Sequence, residues 1–106
     1  MELLERHIEA RLVREVKKLN GIPYKFTSPQ RRSVPDRLCV FSHNIIWFIE
    51  CKRPGGKLTV NQKRELALLN KQNCNTAMVS TYEEVDQVIN QIKAQIKAQI
   101  AKKIFQ

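Results

Sequence analysis

Long apolar runs are missing from this sequence of 106 residues. No stretch approaches the roughly 20 consecutive apolar residues that a membrane-spanning helix needs. The N-terminus begins with the acidic residues Glu2 and Glu5 instead of the basic and then apolar residues of a secretory signal. We therefore expect a soluble cytoplasmic protein with no membrane partner and no small-molecule organic cofactor.

Cysteine, glycine and proline are also scarce. The three cysteines, Cys39, Cys51 and Cys74, are odd in number and widely spaced, so they match neither a zinc site nor a disulfide framework. We interpret them as reduced thiols in the core or in strands. With only 3 Gly, 4 Pro and a 42% hydrophobic content, the chain is typical of an ordered fold. Its length predicts a single domain over residues 1–106.

Acidic residues are outnumbered, with 10 Asp and Glu against 19 Lys and Arg, which gives a formal net charge of +9. Residues 16–35 and 51–64 each contain five basic residues and no acid. Asp36 and Glu50 lie beside these two stretches. Such an excess favours a polyanion as partner, because neutralised phosphates release counterions. The alternative is a solvated basic surface that keeps the protein soluble.

The N-terminal segment predicts an amphipathic helix. Its apolar residues recur at steps of three and four, on one stripe: Leu4, Ile8, Leu12, Val16 and Leu19. We expect Gly21 to end this helix in a left-handed conformation and Pro23 to prevent its return. A short strand is predicted over residues 24–27, before a basic loop over residues 28–34.

The C-terminal half predicts a helix, a strand and a second helix. Thr59 and Gln62 have the spacing of a capping box at the start of a helix over residues 60–72. An apolar strand over residues 76–80 follows, and a final helix spans residues 82–104. Four isoleucines of this helix are spaced by four residues: Ile92, Ile96, Ile100 and Ile104. We expect this stripe to pack on the domain or on a partner subunit, and a frayed tail is the alternative.

The middle of the chain predicts a β-hairpin. Residues 37–41 and 45–51 are dense in β-branched and aromatic residues, and three polar residues separate them. If the hairpin turns around His43, the numbers of facing residues sum to 86. Asp36 then faces Glu50 at about 5 Å. Lys52 shares that face because side chains alternate along a strand. The full order is α-β-β-β-α-β-α.

Opposed carboxylates repel one another unless a cation lies between them. Mg²⁺ prefers oxygen ligands and keeps several waters, so Asp36, Glu50, the backbone carbonyl of Cys51 and water would suffice. Such an ion would activate a water and polarise a phosphate. Lys52 would orient that water or stabilise the charge of the transition state. The simpler alternative is that Asp36 is a turn residue and that Glu50 and Lys52 form an exposed strand edge.

A larger ordered set of motifs surrounds this cluster. In chain order they are Ile8-Glu9, Tyr24-Lys25-Phe26-Thr27-Ser28-Pro29, Arg31-Arg32, Val34-Pro35-Asp36-Arg37, Glu50-Cys51-Lys52, Gly56-Lys57-Leu58 and Gln62. Over roughly residues 5–90 the chain resembles the virus-type replication-repair nuclease (VRR-NUC) family, part of the PD-(D/E)xK superfamily. One departure is Arg31-Arg32-Ser33, where the family has the more flexible Arg-Arg-Gly.

The resemblance implies a restriction-endonuclease-like α/β fold with a mixed central sheet flanked by helices. It also implies dependence on Mg²⁺ or Mn²⁺ and hydrolysis of DNA phosphodiester bonds. Small stand-alone members, often phage-encoded, are similar to Holliday-junction resolvases and act as homodimers, which would place this protein in a host cytoplasm. Branched DNA and a second copy of the chain are the partners expected on this basis.

The same resemblance carries over to individual residues. Asp36, Glu50 and Lys52 correspond to the catalytic core, Glu9 to a further metal-binding carboxylate, and Gln62 to a residue lining the site. The residues expected to contact DNA are Lys25, Arg31, Arg32, Arg37, Arg53 and Lys57.

Several alternatives remain open at this stage. Glu5 competes with Glu9 because residues four apart share one face of a helix. Gln62 has a structural alternative in the capping box, and His7 and His43 lack the partner spacing of a zinc site, so we expect surface histidines. The chain as a whole could instead be a catalytically silent nucleic-acid-binding module or a sequence-specific restriction-type nuclease.

Overall fold

The elements of regular structure follow the predicted order α-β-β-β-α-β-α. A computed structural model describes residues 2–105. The elements are α1 (Glu5–Lys18), β1 (Ile22–Lys25), β2 (Arg37–Phe41), β3 (Ile45–Cys51), α2 (Val60–Lys71), β4 (Asn75–Val79) and α3 (Tyr82–Ile104). A 3₁₀ turn over Ser42–Asn44 joins β2 to β3.

The strand pairing confirms the predicted hairpin register. Arg37 pairs with Ile49 and Phe41 pairs with Ile45, so the numbers of facing residues sum to 86. β1 is antiparallel to β2, whereas β4 is parallel to β3 because α2 forms a crossover between them. The result is the expected mixed α/β sheet, in the order β1-β2-β3-β4.

The prediction for the first strand was wrong by two residues. The sequence favoured residues 24–27, whereas β1 spans Ile22–Lys25 and includes Pro23. Proline lacks a backbone N–H and is tolerated in an edge strand, which is the position of β1 in the sheet. β4 begins and ends one residue earlier than predicted, and α2 ends one residue earlier.

The end of α1 also differs from the prediction. Asn20, not Gly21, adopts the left-handed conformation, with φ of 59°. The N–H of Asn20 donates to the carbonyl of Lys17, and the N–H of Gly21 donates to that of Val16, as in a Schellman cap. Glycine is required at position 21 for another reason, because a Cβ there would lie 2.5 Å from the ring of Phe41.

The core lies between the sheet and the two helices α1 and α3, which pack against each other. Its principal members are Ile8, Leu12, Val16, Cys39, Trp47, Ile49, Cys51, Val79, Val85, Ile89 and Ile92. All three cysteines are free thiols, as predicted, and burial raises the pKa of Cys39 to about 12. No helix within residues 2–105 is both long enough and apolar enough to cross a membrane.

The isoleucine stripe of α3 divides into two halves. Ile92 is fully buried and Ile96 packs against the core, which confirms that this half packs on the domain. Ile100 is 44% exposed and Ile104 is 69% exposed, although the helix continues to Ile104. The second half of the stripe therefore leaves the domain while remaining helical.

Candidate active site

Asp36 and Glu50 lie at the same end of the β2–β3 hairpin. Asp36 directly precedes β2, and Glu50 is the penultimate residue of β3. One step beyond the last paired residues, Arg37 and Ile49, the same register places Asp36 opposite Glu50. The backbone N–H of Cys51 donates a 2.9 Å hydrogen bond to Oδ2 of Asp36, which fixes the carboxylate across the hairpin.

Glu50 is almost fully buried, with 2% of its surface exposed. Burial, a hydrogen bond with Asp36 and the charge of Asp36 together raise the pKa of Glu50 to about 8, and the charge of Lys52 opposes the rise. The charges of Asp36 and Lys52 therefore both act on the Glu50 carboxyl. Burial and a neighbouring negative charge both disfavour the ionised form of Glu50, and a cation would favour it.

Two of the three acids of α1 also reach this cluster. Glu5, Glu9 and Asp36 each place one carboxylate oxygen within 4.8 Å of the others. Glu9 is held in place, because its Oε2 accepts hydrogen bonds from Nε of Arg37 at 2.7 Å and from Nζ of Lys25 at 2.9 Å. Glu5 is exposed and forms no ion pair within residues 2–105.

The donor set fits a hard divalent cation. Carboxylate oxygens come from the residue before β2, from β3 and from α1 (Asp36, Glu50, and Glu9 or Glu5), and Mg²⁺ and Mn²⁺ bind oxygen ligands of this kind. The thiol of Cys51 does not suit such an ion, since burial raises its pKa far above the ordinary value and keeps it protonated. Its backbone carbonyl is a hard oxygen donor and remains the ligand that the sequence predicted.

Lys52 follows β3 directly and is half-buried. Its backbone N–H donates to the carbonyl of Val79 in β4, at 2.9 Å. A tight turn follows, in which the N–H of Gly56 donates to the carbonyl of Arg53, and a Cβ on Gly56 would lie 3.2 Å from Cβ of Lys52. Lys52 forms no ion pair within the described residues, so its ammonium group is not neutralised by a protein carboxylate.

The six basic residues expected to contact DNA fall into two groups. Lys25 and Arg37 contact Glu9, and Arg31 forms a two-pronged ion pair with Glu65 of α2, with Nη2 at 2.6 Å. The other three are without an ion pair in the described part of the chain: Arg32, Arg53 and Lys57. The structure therefore places half of this set in intramolecular contacts.

Gln62 forms the capping box of α2. The N–H of Thr59 donates to Oε1 of Gln62 at 2.9 Å, and the N–H of Gln62 donates to Oγ1 of Thr59 at 3.1 Å. This is the structural alternative that the sequence left open. His7 and His43 make only local hydrogen bonds, with the N–H of Leu4 and Oγ of Ser42 respectively.

Sequence reasoning missed the ion pairs that position Glu9. Arg37 is the first residue of β2, and its guanidinium reaches Glu9 on α1. An arginine directly after Asp36 and two acids four residues apart on the first helix were the available signals, but the sequence alone does not say which acid the arginine meets.

Two comparisons with known proteins gave matches to a nuclease and to a nuclease domain. Over 65 residues the chain is 55% identical to a protein named "Putative nuclease p44" of Acyrthosiphon pisum secondary endosymbiont phage 1, a match that covers 61% of this chain and 70% of that protein. A solved structure described as a VRR_NUC domain superposes with a TM-score of 0.77 at 26% sequence identity, covering 81% of this chain and 94% of that one. No model of a protein family matches the chain.

Proposed function

This chain belongs to the VRR-NUC family, and on that basis we propose that it is a metal-dependent endonuclease that hydrolyses phosphodiester bonds of DNA. The observation that carries the proposal is the convergence of carboxylates from the hairpin and from α1 beside Lys52, which forms no ion pair with any residue in 2–105. The net charge of +9 suits a polyanionic substrate.

Asp36, Glu50 and Glu9 are the proposed metal ligands, with the carbonyl of Cys51 as a further donor. When bound, Mg²⁺ or Mn²⁺ would supply a Lewis acid and lower the pKa of a water. The chain would contribute orientation: the N–H of Cys51 holds Asp36, and Arg37 and Lys25 hold Glu9.

Lys52 is proposed to act on the reacting groups directly. Its ammonium group would orient the attacking water or stabilise negative charge that develops on the phosphate. The half-buried position at the end of β3 limits the directions that its side chain can take. Gln62 has a weaker claim to a catalytic role, because its side-chain oxygen is occupied by the capping box.

A cleavage assay with two substitutions tests the proposal. Asp36→Ala and Lys52→Ala should abolish cleavage of DNA in Mg²⁺ or Mn²⁺ while leaving DNA binding largely intact, and Lys93→Ala on the exposed side of α3 should cleave as the wild type does. A chelator should stop the wild-type reaction. A fully active Lys52→Ala protein would remove lysine from the mechanism.

The substrate proposed is branched DNA, in the manner of a Holliday-junction resolvase. Incubation with junction, flap and linear duplexes distinguishes this from two alternatives. Binding without cleavage of any substrate would indicate a silent nucleic-acid-binding module. Cleavage that follows base sequence instead of branch geometry would indicate a restriction-type nuclease.

We also propose a homodimer, because a junction has two strands to cut and the chain carries one site. The exposed second half of the α3 stripe, Ile100 and Ile104, is the candidate interface, together with the 87% exposed Phe105. Light scattering at concentrations that support cleavage should give twice the mass of one chain, and Ile104→Lys should reduce it to that of a monomer. A wild-type monomer that cleaves at full rate would contradict the dimer.

A further inference from the structure

A shallow, open groove on the solvent side of α1 carries a concentration of positive charge. Six residues line it: Ala10, Val13, Arg14, Lys17, Lys18 and Arg37. Four of the six are basic and none is acidic. The buried stripe of α1, which includes Ile8 and Leu12, faces the core, so the groove occupies the side of the helix that a partner in solution can reach.

Two of the four cations have no counterion among residues 2–105. Lys18 pairs with Glu15 at 2.9 Å, and Arg37 pairs with Glu9 at 2.7 Å. Arg14 and Lys17 are exposed and form no ion pair within residues 2–105. The free charge of the groove is therefore located on these two side chains, which are three residues apart and lie on adjacent turns of α1.

The groove borders the candidate active site at Arg37. Arg37 both lines the groove and contacts Glu9, so the two features share this residue. Lys17 lies two steps of four residues beyond Glu9, which places it about 12 Å further along the helix axis. Because each strand of B-DNA carries one phosphate per ~3.4 Å of its axis, that distance corresponds to about three phosphates.

We propose that this groove binds the phosphate backbone of the duplex arm that is being cut, through Arg14 and Lys17. The proposal rests on the proposed nuclease function and adds two residues, Arg14 and Lys17, to those already expected to contact DNA. A duplex fits the groove better than a small anion does, because the cations are spread along an open surface and do not converge on an enclosed pocket.

A local role for these residues makes a different prediction. Lys17 and Lys18 lie in the last turn of α1, where cations interact favourably with the carbonyl end of the helix. If that were the purpose of Lys17, its replacement would lower the melting temperature and leave the affinity for DNA unchanged. Phosphate contact predicts the reverse, a change in affinity with little change in melting temperature.

The test compares the wild type with the double variant Arg14→Ala/Lys17→Ala in a DNA-binding assay. Fluorescence anisotropy with a junction and a linear duplex, in Ca²⁺ so that the DNA stays intact, gives Kd over a range of salt concentrations. The double variant should bind at least about fivefold more weakly to both DNAs. The plot of the logarithm of the association constant against the logarithm of the salt concentration has a negative slope. The magnitude of that slope should be smaller by about 1.8 in the double variant, because each of two lost phosphate contacts contributes ~0.9. A matched control, Lys93→Ala/Lys97→Ala, removes two exposed charges from α3 and should change neither quantity appreciably.

Cleavage in Mg²⁺ separates this proposal from the one on which it rests. The double variant should keep the wild-type kcat at saturating DNA and show a raised KM. If the wild type cleaves DNA and the double variant keeps the wild-type affinity and salt slope, the groove proposal alone is overturned. An equal loss of affinity in the α3 control would overturn it too. The predicted change of slope in a protein that cleaves nothing would overturn the nuclease and retain the groove. If the double variant does not fold, the single variants Arg14→Gln and Lys17→Gln should each reduce the magnitude of the salt slope by about 0.9.

Discussion

Glu9 differs from Glu5 in the contacts that each carboxylate makes. Both cations that hold Glu9 contact the same oxygen, Oε2, which leaves Oε1 unoccupied by either. Glu9 is also only 14% exposed in its side chain, whereas Glu5 is exposed and has no ion pair in the described residues. A carboxylate that is already fixed loses less conformational entropy when it binds a metal, so Glu9 is the better candidate ligand.

Glu9→Gln should therefore lower kcat/KM for DNA cleavage by at least about tenfold, since loss of an ordered group at a metal site typically costs ~10–100-fold. Glutamine keeps the size of the side chain and can still accept a hydrogen bond from Arg37. The matched variant Glu5→Gln should retain activity within a few-fold. Cleavage rates measured across a range of Mg²⁺ concentrations, with melting temperatures for both proteins, check this. A larger loss for Glu5→Gln would reverse the assignment.

Single residues also show where sequence reasoning succeeded and where it stopped. The predicted register of the hairpin followed from strand alternation and a turn, which are local rules, and the strand pairing confirms that register. The ion pair between Arg37 and Glu9 depends on how α1 lies across the sheet. That docking is set by the packing of the core, which no local rule describes.

At the scale of elements, α3 combines a packed half with an unpacked half. Its first half is fixed to the sheet by buried apolar residues and by a chain of hydrogen bonds in which Trp47 donates to Gln95 and Gln95 donates to Asn75. The isoleucine repeat continues without a break into the exposed half. The repeat predicted the helix correctly, but it did not distinguish residues that meet the domain from those that pass beyond it, because all four isoleucines look alike in sequence.

Ile92→Ala should destabilise the protein by about 2–5 kcal/mol, because it removes a fully buried side chain and leaves a cavity between α3 and the sheet. The neighbouring Lys93→Ala, at an exposed position of the same helix, should change the free energy of unfolding by no more than about 0.5 kcal/mol. Denaturation by urea, followed by circular dichroism, measures both. A small effect of Ile92→Ala would show that α3 is not docked as described.

The ends of elements were the least predictable part of the fold. The sequence placed the left-handed residue after α1 at Gly21, because glycine adopts that conformation most readily. Asn20 adopts it instead, and the glycine serves the close approach of Phe41. A glycine at position 21 is explained equally well by a left-handed helix end and by close contact with Phe41. The sequence does not distinguish the two, because the contact depends on how β2 packs against the end of α1.

At the scale of the whole molecule, α1 and α3 are joined by charge as well as by the core. Arg11 of α1 binds Asp86 of α3 through two hydrogen bonds of 3.1 and 2.9 Å, and the same guanidinium lies 4.8 Å from the ring centroid of Tyr82. The Arg11 guanidinium lowers the pKa of Asp86 below its ordinary value. Acidic groups that are stabilised in this way connect the stability of the whole fold to pH.

Glu84 provides the clearest test of that connection. Its carboxylate accepts hydrogen bonds from the backbone N–H of Ser80 at 2.8 Å and from the Ser80 hydroxyl at 2.9 Å, and these bonds lower the pKa of Glu84 below its ordinary value of 4.5. Because the pKa is lower in the folded state than in the unfolded state, the stabilisation is present above about pH 4.5 and is lost as the pH falls through the folded-state value.

The melting temperature of the wild type should therefore decline as the pH is lowered from about 5 to 3. Glu84→Gln should show a smaller decline, because its side chain accepts the same hydrogen bonds without titrating, at the cost of a lower melting temperature near neutral pH. Glu83→Gln changes an exposed neighbour in the first turn of α3 and should follow the wild-type decline. If Glu83→Gln flattened the pH profile as much as Glu84→Gln, the effect would belong to general charge at the start of the helix and not to the Ser80 hydrogen bonds.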